Sequence, residues 1–344
     1  MKLNLNYCFR GVDIVMLVSV ITVFYNREEY VFNSIKSLLE QDYENIEIIA
    51  VDDGSTDNTL QKLNSFSDKR LKVITHNNMG FVKSIINAVT VSNGEIIAIH
   101  GSGDISYENR ISKQVSILEE NKDVGVVGCF VKKTNLVNKR VSFHRPVISP
   151  DINLTEQLFK HNFFTHGEVM FRKELYTKVG GYREVFKYSQ DYDLWLRMSL
   201  VTNFNIIPEV LYERFTLTNG VSNSVEKSAI QTNLGELGRQ SIKLKMKGNE
   251  DLVDKYGFQA AFFKKRSQRV AKDLFKTSLR ALSKSEIQSA KRIVRWSINE
   301  RMGLYNTLLF LFLKIVKEDS ALLKELITLL YKVKIKRDKS VGIR

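Results

Sequence analysis

The stretch Ile46-Glu47-Ile48-Ile49-Ala50-Val51-Asp52-Asp53-Gly54-Ser55-Thr56-Asp57 is a nearly unbroken apolar run that ends in two adjacent carboxylates and a turn. A strand this apolar is typical of one buried on both faces, as in a parallel sheet. Asp52 and Asp53 are therefore expected at the carboxyl end of a parallel strand, where open α/β sheets bind their ligands. Acceptor-only side chains there suit a partner rich in hydroxyl and N–H donors, such as a nucleoside. The alternative is that the two carboxylates only cap the following helix, which Thr56 or Asp57 could also cap.

Strand and helix patterns alternate around this stretch. Further strands are predicted over residues 18–25, 71–74, 95–99 and 124–130, and helices over residues 81–91 and 107–121. Asn26 is expected to cap the first helix, which ends near residue 41. The short connections predict right-handed crossovers and parallel pairing. Because the first strand is not followed by G-x-G-x-x-G and the chain has no G-x-x-x-x-G-K-[ST], the sequence argues against a dinucleotide dehydrogenase and a P-loop NTPase.

Length and composition indicate one large globular domain with an appendage, since the chain has 344 residues and 43% hydrophobic residues. The two cysteines, Cys8 and Cys129, are too few for a disulfide framework and lack metal-ligand spacing, which favours a reducing, cytosolic setting. Residues 12–25 are apolar enough for a secretory signal, but they contain Asp13 and lack the expected cleavage pattern. The second half of that segment is interpreted as the first strand.

The positive charge lies in the last third of the chain. Residues 225–344 carry 27 Lys and Arg against 12 Asp and Glu, whereas residues 1–224 carry 25 against 26. The basic third has helical spacing, and its apolar run over residues 304–313 is too short to span a bilayer. It either meets an anionic membrane surface, or it packs on the rest of the chain or on a second subunit with its lysines in water. Nucleic acid is not expected as a partner, because no recognition motif or aromatic platform accompanies the charge.

Several short motifs follow one another along the chain. They are Val18-Ser19-Val20-Ile21 with Tyr25-Asn26, Val51 to Asp57, Asn78-x-Gly80 with Asn87, Asn93-Gly94-Glu95, His166 to Lys173, Gly180-Gly181-Tyr182 and Gln190 to Arg197. In order and spacing they resemble family 2 glycosyltransferases of the bacterial polysaccharide type, over roughly residues 16–215. The resemblance implies a GT-A nucleotide-sugar-binding domain with a mostly parallel central sheet, followed by an α-helical extension. We expect an N-terminal extension over residues 1–15, the GT-A domain over 16–224 and the basic helical extension over 225–344.

For the nucleotide, the resemblance implies a clamp made by the end of the first strand and the first Asp pair, with a lysine near the base or diphosphate. The residues concerned are Val23, Tyr25, Asp52, Asp53 and Lys83. In many family members the strand that corresponds to residues 95–99 is followed by an Asp-x-Asp-Asp run, which holds Mg²⁺ or Mn²⁺ against the diphosphate. Here the run is Gly101-Ser102-Gly103-Asp104, so Asp104 is the candidate ligand for the cation and the nucleotide. The glycines would let main-chain N–H groups approach phosphate.

The general base implied by the resemblance is Asp191, in Gln190-Asp191-Tyr192-Asp193, unless that carboxylate only caps its helix. A single displacement assisted by such a base inverts the anomeric configuration. His166 and Glu168 are candidates for contact with the sugar or acceptor. The expected function is transfer from a nucleotide diphosphate donor, most often UDP-linked in this family, to a glycan or lipid-linked acceptor. We expect this cytoplasmic enzyme to serve polysaccharide or glycoconjugate synthesis, with contact to the inner membrane face. The rivals are a non-catalytic sugar-nucleotide-binding homologue and a basic nucleic-acid-binding protein.

Overall fold

The computed structural model describes residues 16–136, 138–216, 224–316 and 320–329. The N-terminal extension with Cys8 and the basic run at residues 332–339 lie outside these residues. The strands are β1 (Val18–Phe24), β2 (Ile46–Asp52), β3 (Leu71–Thr75), β4 (Ile96–Gly101), β5 (Ile105–Ser106), β6 (Val124–Asn135), β7 (Arg140–His144), β8 (Met170–Arg172) and β9 (Asn203–Thr216).

Helices connect these strands, and the elements that follow β9 are all helical among the described residues. They are α1 (Val31–Leu39), α2 (Thr59–Asn64), α3 (Phe81–Val91), α4 (Arg110–Glu120), α5 (Leu154–Lys160), α6 (Lys173–Lys178), α7 (Gln190–Met198), α8 (Val225–Lys245), α9 (Leu252–Tyr256), α10 (Ala260–Phe263), α11 (Gln268–Leu282), α12 (Ile287–Glu300) and α13 (Leu304–Ile315). Residues 321–329 are also helical. Among the described residues, no helix combines the length and the apolarity that crossing a membrane requires.

One sheet in the order β3-β2-β1-β4-β8-β6-β9-β5 forms the centre of the fold, with β7 paired to β6. The pairs β1–β2, β1–β4, β2–β3 and β6–β9 are parallel, whereas β8 runs antiparallel to both β4 and β6. The register aligns Phe24 with Asp52 and Val23 with Gly101, so the carboxyl ends of β1, β2 and β4 lie side by side. The predicted mostly parallel α/β sheet is confirmed, and its strand ends form the floor of a site.

Hydrophobic layers cover both faces of the sheet, which explains why β1 and β2 are apolar at nearly every position. Ile21 and Val23 of β1 pack into the layer that includes α3 and α7, whereas Val18 and Val20 pack into the layer that includes α4. Cys129 is buried in the second layer, as its apolar neighbours predicted. The sheet is therefore fixed from both sides, and its strand ends are held rigidly.

The start of the first helix differs from its prediction. Helix α1 begins at Val31, and Asn26 does not cap it. Asn26 instead has a left-handed φ of 49°, and its side-chain oxygen accepts a hydrogen bond from the Thr56 N–H at 2.8 Å. Asparagine tolerates this conformation better than most residues. Asn26 thus ties the end of β1 to the turn after β2, whereas Asp57 accepts from the first N–H of α2 at 3.0 Å, as expected.

The helical extension packs directly on the domain that contains the sheet. Helix α8 begins at Val225, and its Gly238 faces Leu196 and Phe186 of the sheet-containing domain. The Arg183 guanidinium binds Asp193 of α7 and also binds Asp251, 2.9 Å away, at the start of α9. Helices α8, α11, α12 and α13 also share a core of their own. The packing alternative for the basic third is confirmed for these helices, and a membrane contact stays a separate prediction.

Candidate active site

A cavity of about 510 Å³ opens where β1 and β4 end. Its wall is completed by the start of α3, the segment before β8, the start of α7 and the end of β9. The residues predicted from the sequence that line it are Val23, Lys83, Asp104, His166 and Asp191. The fold therefore brings candidate residues from distant parts of the chain to one cavity, which we call the donor cavity.

The carboxylates of Asp52 and Asp53 lie behind the wall of the donor cavity and do not line it. Asp52 accepts a hydrogen bond from the Thr75 hydroxyl at 3.0 Å. Asp53 accepts from the main-chain N–H groups of Met79 and Gly80 at 2.9 and 3.1 Å. Met79 and Gly80 line the cavity, so Asp53 acts on it through the turn that it holds. Direct contact of either carboxylate with a nucleoside stays a prediction.

The other residues of the predicted nucleotide clamp are divided. Val23 is buried and lines the cavity, whereas Tyr25 is 45% exposed and lies outside its wall. Lys83 lines the cavity, with its ammonium nitrogen 3.6 Å from a carboxylate oxygen of Glu184. Because both side chains of this pair are about half exposed, the ion pair contributes little to stability. Lys83 is therefore free to reorient toward an anionic ligand.

Asp104 is buried at the cavity wall and is held by two donors from β9. Its Oδ2 accepts a hydrogen bond from the Tyr212 hydroxyl at 2.8 Å, and its Oδ1 accepts from the Phe215 N–H at 3.0 Å. Burial raises the pKa of Asp104 to about 6, although these hydrogen bonds and the charge of Arg214 oppose the rise. Both oxygens of this carboxylate are thus already engaged within the protein.

The described residues around Asp104 do not by themselves form a site for a resident Mg²⁺ or Mn²⁺ ion. A Cβ atom at Gly101 would lie 2.3 Å from Oδ2 of Asp104, so the Asp104 carboxylate fills the space that a side chain at Gly101 would need. In the part of the chain that the structure describes, no cluster of three or more His, Cys, Asp or Glu side chains is placed to hold a metal ion. At nucleotide sites Mg²⁺ is usually held by one or two carboxylates together with substrate phosphates and water, and the one carboxylate here, Asp104, has both oxygens engaged by Tyr212 and Phe215. Asp104 as a cation ligand stays a prediction.

Asp191 lies in the first turn of α7, where the helix dipole favours negative charge. Its side chain lines the cavity, and its Oδ2 accepts a hydrogen bond from the Asn162 amide at 3.1 Å. Burial raises the pKa of Asp191, against the hydrogen bonds from the Tyr192 N–H and from Asn162. A raised pKa makes a carboxylate a stronger base, and the position gives it access to a bound hydroxyl.

His166 and Glu168 have different surroundings. His166 lines the cavity in a left-handed conformation, with φ of 85° and its Nε2 2.8 Å from the Tyr182 hydroxyl. Burial lowers the pKa of His166 to about 4, so the imidazole is neutral at pH 7. Glu168 is fully buried, does not line the cavity, and accepts two hydrogen bonds of 2.7 Å from Thr165. His166 is thus placed to touch a ligand, whereas Glu168 positions Thr165 in the wall.

Several polar residues that line the cavity were missed by the sequence analysis: Arg27, Lys187, Tyr188, Arg214 and Gln231. Arg214 is the most informative, because its charge influences the pKa of Asp104, His166 and Asp191 alike. It lies in the long strand β9, which no local motif marked. The cavity thus carries four basic side chains, including Lys83, against the acids Asp104, Glu184 and Asp191.

The mixed, mostly parallel sheet with a cavity at its parallel strand ends agrees with the GT-A fold that the sequence predicted. Residues 19–180 match the family model described as "Glycosyl transferase family 2". The O-antigen biosynthesis glycosyltransferase WbnJ of Escherichia coli is 32% identical over 224 residues, which cover 62% of this chain and 84% of that protein. The chain therefore belongs to glycosyl transferase family 2.

Solved structures show the same fold at low sequence identity. The crystal structure of S. aureus TarS 1-349 in complex with UDP-GlcNAc is 18% identical, with a TM-score of 0.57 and coverage of 87% of this chain and 92% of that one. Mannosyltransferase PcManGT from Pyrobaculum calidifontis, in complex with GDP-Man and Mn²⁺, is 17% identical, with a TM-score of 0.52 and coverage of 94% and 88%. The predicted GT-A fold, the family and the glycosyltransferase class are confirmed.

Proposed function

We propose that this glycosyltransferase transfers a sugar from a nucleotide diphosphate donor to a glycan hydroxyl with inversion, using Asp191 as the general base. The observation that carries the proposal is the buried Asp191 carboxylate at the cavity wall, whose pKa is raised by burial. TarS was solved with UDP-GlcNAc and PcManGT with GDP-Man. UDP is the nucleotide that we propose here, on the frequency of this carrier in the family.

In the reaction, the acceptor hydroxyl gives its proton to an oxygen of Asp191 while its own oxygen attacks the anomeric carbon of the donor. The bond between that carbon and the diphosphate oxygen breaks on the opposite face, so the configuration inverts. Asn162 donates to the other side of the Asp191 carboxylate and thereby orients it. The neutral His166 supports the sugar without adding charge.

The leaving diphosphate needs positive charge, and we assign this role to basic side chains of the cavity. Arg27, Lys187 and Arg214 line the donor cavity together with Lys83. A guanidinium binds phosphate oxygens through two parallel hydrogen bonds, which stabilises charge as it develops. PcManGT was solved with Mn²⁺, whereas the described residues around Asp104 include no cluster of three or more metal-ligating side chains. The mechanism proposed for this chain therefore involves no metal ion.

The enzyme is proposed to act in polysaccharide or glycoconjugate synthesis in the cytoplasm, next to the membrane. Helix α13 supports the membrane contact, because an exposed apolar stripe runs along it. The stripe consists of Leu304, Tyr305, Leu308, Leu311 and Ile315, which are between 46% and 79% exposed. We expect the protein to sediment with vesicles that contain phosphatidylglycerol, and Leu308→Glu to weaken this binding. Equal sedimentation of the two proteins would remove the membrane contact from the proposal.

Calorimetric titration with UDP, GDP and their common sugar conjugates tests the transferase proposal, with Mn²⁺ present and then with chelator. We expect one nucleotide and its sugar conjugate to bind in both conditions, and the sugar conjugate to be slowly hydrolysed. Arg214→Gln should weaken this binding, because one guanidinium contact to the diphosphate is lost. If no nucleotide binds the wild-type protein in either condition, the assignment of the donor cavity is refuted.

A further inference from the structure

A second cavity of about 390 Å³ adjoins the donor cavity, and four residues, among them Asp191 and Arg214, line both. The helical extension closes its other side, since Arg239 of α8 and Arg269 of α11 line it. A hydroxyl that enters through this second cavity therefore reaches the carboxylate proposed as the base. We call it the acceptor cavity.

The acceptor cavity is lined by the three arginines Arg214, Arg239 and Arg269 against the two acids Asp191 and Asp273. Arg239 is only 9% exposed, which is unusual for an arginine, and is anchored by Glu236 at 2.7 Å. Asp273 is itself paired with Lys276 at 3.6 Å. One arginine and one acid of the lining are thus each paired with a neighbour, and the formal charge of the remaining lining residues is positive, which suits an anionic ligand.

Arg269 lies at the mouth of the acceptor cavity and is fixed there by neutral groups. Its guanidinium donates hydrogen bonds to the main-chain carbonyls of Phe159 and Lys160, at the end of α5. These carbonyls orient the guanidinium but carry no full negative charge, so they leave its positive charge uncancelled. A guanidinium has five N–H donors, and two of them are used in this way. Arg269 therefore offers further donors and a positive charge in a fixed orientation.

The positive surface continues beyond the acceptor cavity along α11. A further cavity of about 380 Å³ shares Arg269 with it and adds Lys272 and Lys276. A smaller cavity of about 170 Å³ shares Lys272 with that one and has apolar walls that include Phe275 and Leu304. A ligand with a sugar, a phosphate and an apolar tail would meet matching surfaces in this order.

We propose that the acceptor cavity binds an acceptor that carries a phosphate group beside its reacting sugar, and that Arg239 and Arg269 recognise this phosphate. The sugar hydroxyl would then lie at Asp191 and the phosphate at the two guanidinium groups, which bind phosphate through paired hydrogen bonds. Glu236 already pairs with Arg239, so a neutral glycan would leave Arg269 as the arginine of the pair held by neutral groups alone. The inference rests on the proposed function, because it takes Asp191 as the base.

The test uses the full-length protein saturated with the nucleoside diphosphate that binds it, so that the donor cavity is filled. The 1-phosphates of glucose, galactose, mannose and N-acetylglucosamine are titrated calorimetrically, each beside its methyl glycoside. We expect one 1-phosphate to bind, and its methyl glycoside to bind about tenfold more weakly or not at all, since a charge-assisted contact is lost. Arg269→Gln should weaken the binding of the 1-phosphate by about the same factor.

Arg266→Gln is the matched control, because it removes the same charge three residues away from Arg269 and Arg266 lines none of these cavities. It should leave the binding unchanged. A farnesyl-diphosphate-linked sugar that binds more tightly than the 1-phosphate would identify a lipid as the source of the phosphate, and equal affinity would identify a soluble or polymeric phosphate. The inference is overturned if the methyl glycosides bind as well as the 1-phosphates, if no 1-phosphate binds, or if both variants behave alike. Failure to bind any nucleoside diphosphate would refute the proposed function itself.

Discussion

Replacing Asp191 by asparagine should separate catalysis from stability. In the wild type the amide nitrogen of Asn162 lies 3.1 Å from Oδ2 of Asp191. Asparagine keeps the shape of the side chain and an oxygen that can accept this hydrogen bond. It cannot accept a proton from the acceptor. General-base catalysis contributes about 10²- to 10⁴-fold in rate, so we expect Asp191→Asn to lower kcat by that factor. The donor affinity should stay close to that of the wild type, because no contact to the diphosphate is lost.

The same substitution should not weaken the fold, and the sign follows from the pKa. Burial raises the pKa of Asp191 above its ordinary value of 3.8. The stability linked to this group is therefore fully present below pH 3.8 and is lost as the pH rises through the folded-state pKa. At neutral pH the ionised carboxylate lowers the free energy of unfolding, and an asparagine avoids this cost. The melting temperature of Asp191→Asn at pH 7.5 should equal or exceed that of the wild type.

Asp193, two residues further along α7, provides the contrasting variant. Its buried carboxylate pairs with the guanidinium groups of Arg183, which is partly buried, and of Arg197, which is buried. Breaking a buried ion pair by removing one partner costs about 3–5 kcal/mol, so Asp193→Asn should lower the free energy of unfolding by that amount. The assay measures release of the nucleoside diphosphate and thermal unfolding for both variants. Transfer at the wild-type rate by Asp191→Asn, or a loss of stability as large as that of Asp193→Asn, would refute the reasoning.

Three further predictions follow from the same geometry. Arg214→Gln should lower kcat/KM about 10- to 100-fold, because one charge-assisted contact to the diphosphate is lost. A chelator should leave the wild-type rate nearly unchanged, and a rate that requires Mn²⁺ would contradict the proposed metal-free mechanism. Urea unfolding measures the difference in the free energy of unfolding between Asp104→Asn and the wild type, and this difference should shift in favour of the variant by about 1 to 1.5 kcal/mol from pH 5 to pH 8. The reason is that the pKa of Asp104 is raised from 3.8 to about 6, so ionisation of the buried carboxyl destabilises the wild type as the pH rises. A difference that does not change with pH would refute the burial of this charge. Gly238→Ala should raise the free energy of unfolding by about 0.5–1 kcal/mol, since its Cβ would meet neighbours at an ordinary 3.5 Å, whereas Gly167→Ala should lower it, because its Cβ would lie 2.2 Å from the Tyr212 hydroxyl.

The parallel half of the sheet was predictable because its signals are local. The strands β1 to β4 are apolar runs separated by single helices, and short connections of this kind leave few topologies. The other half lacks such signals. Strand β8 has three residues, Met170–Arg172, and its partners β4 and β6 lie tens of residues earlier in the chain. Its antiparallel direction depends on how the whole domain closes, which no short window of sequence contains.

The site was predicted where a motif marks it and missed where the fold brings in an unmarked residue. Asp104 and Asp191 follow recognisable patterns, and both line the donor cavity. Arg214 belongs to the long strand β9, whose pairing with β6 and β5 carries it to the cavity. For Asp53 the sequence indicated that the carboxylate needs N–H or hydroxyl donors, and the structure shows two that come from the chain itself, the N–H groups of Met79 and Gly80. Residue types alone could not have shown these donors, and a contact of Asp53 with a nucleoside stays a prediction.

The glycine at position 101 and the position of the Asp104 carboxylate depend on each other. The Asp104 carboxylate occupies the space beside Gly101 and is held there by Tyr212, whose hydroxyl also accepts from the Gly101 N–H at 2.8 Å. An aspartate at position 101 would meet Oδ2 of Asp104 at 2.3 Å, so restoring one carboxylate of the family pattern displaces another. Tyr212 and Arg214 lie on the same strand, β9, which therefore supplies both the group that holds Asp104 and the cation proposed to neutralise the diphosphate. Gly101→Asp alone should therefore destabilise the site without creating a metal site.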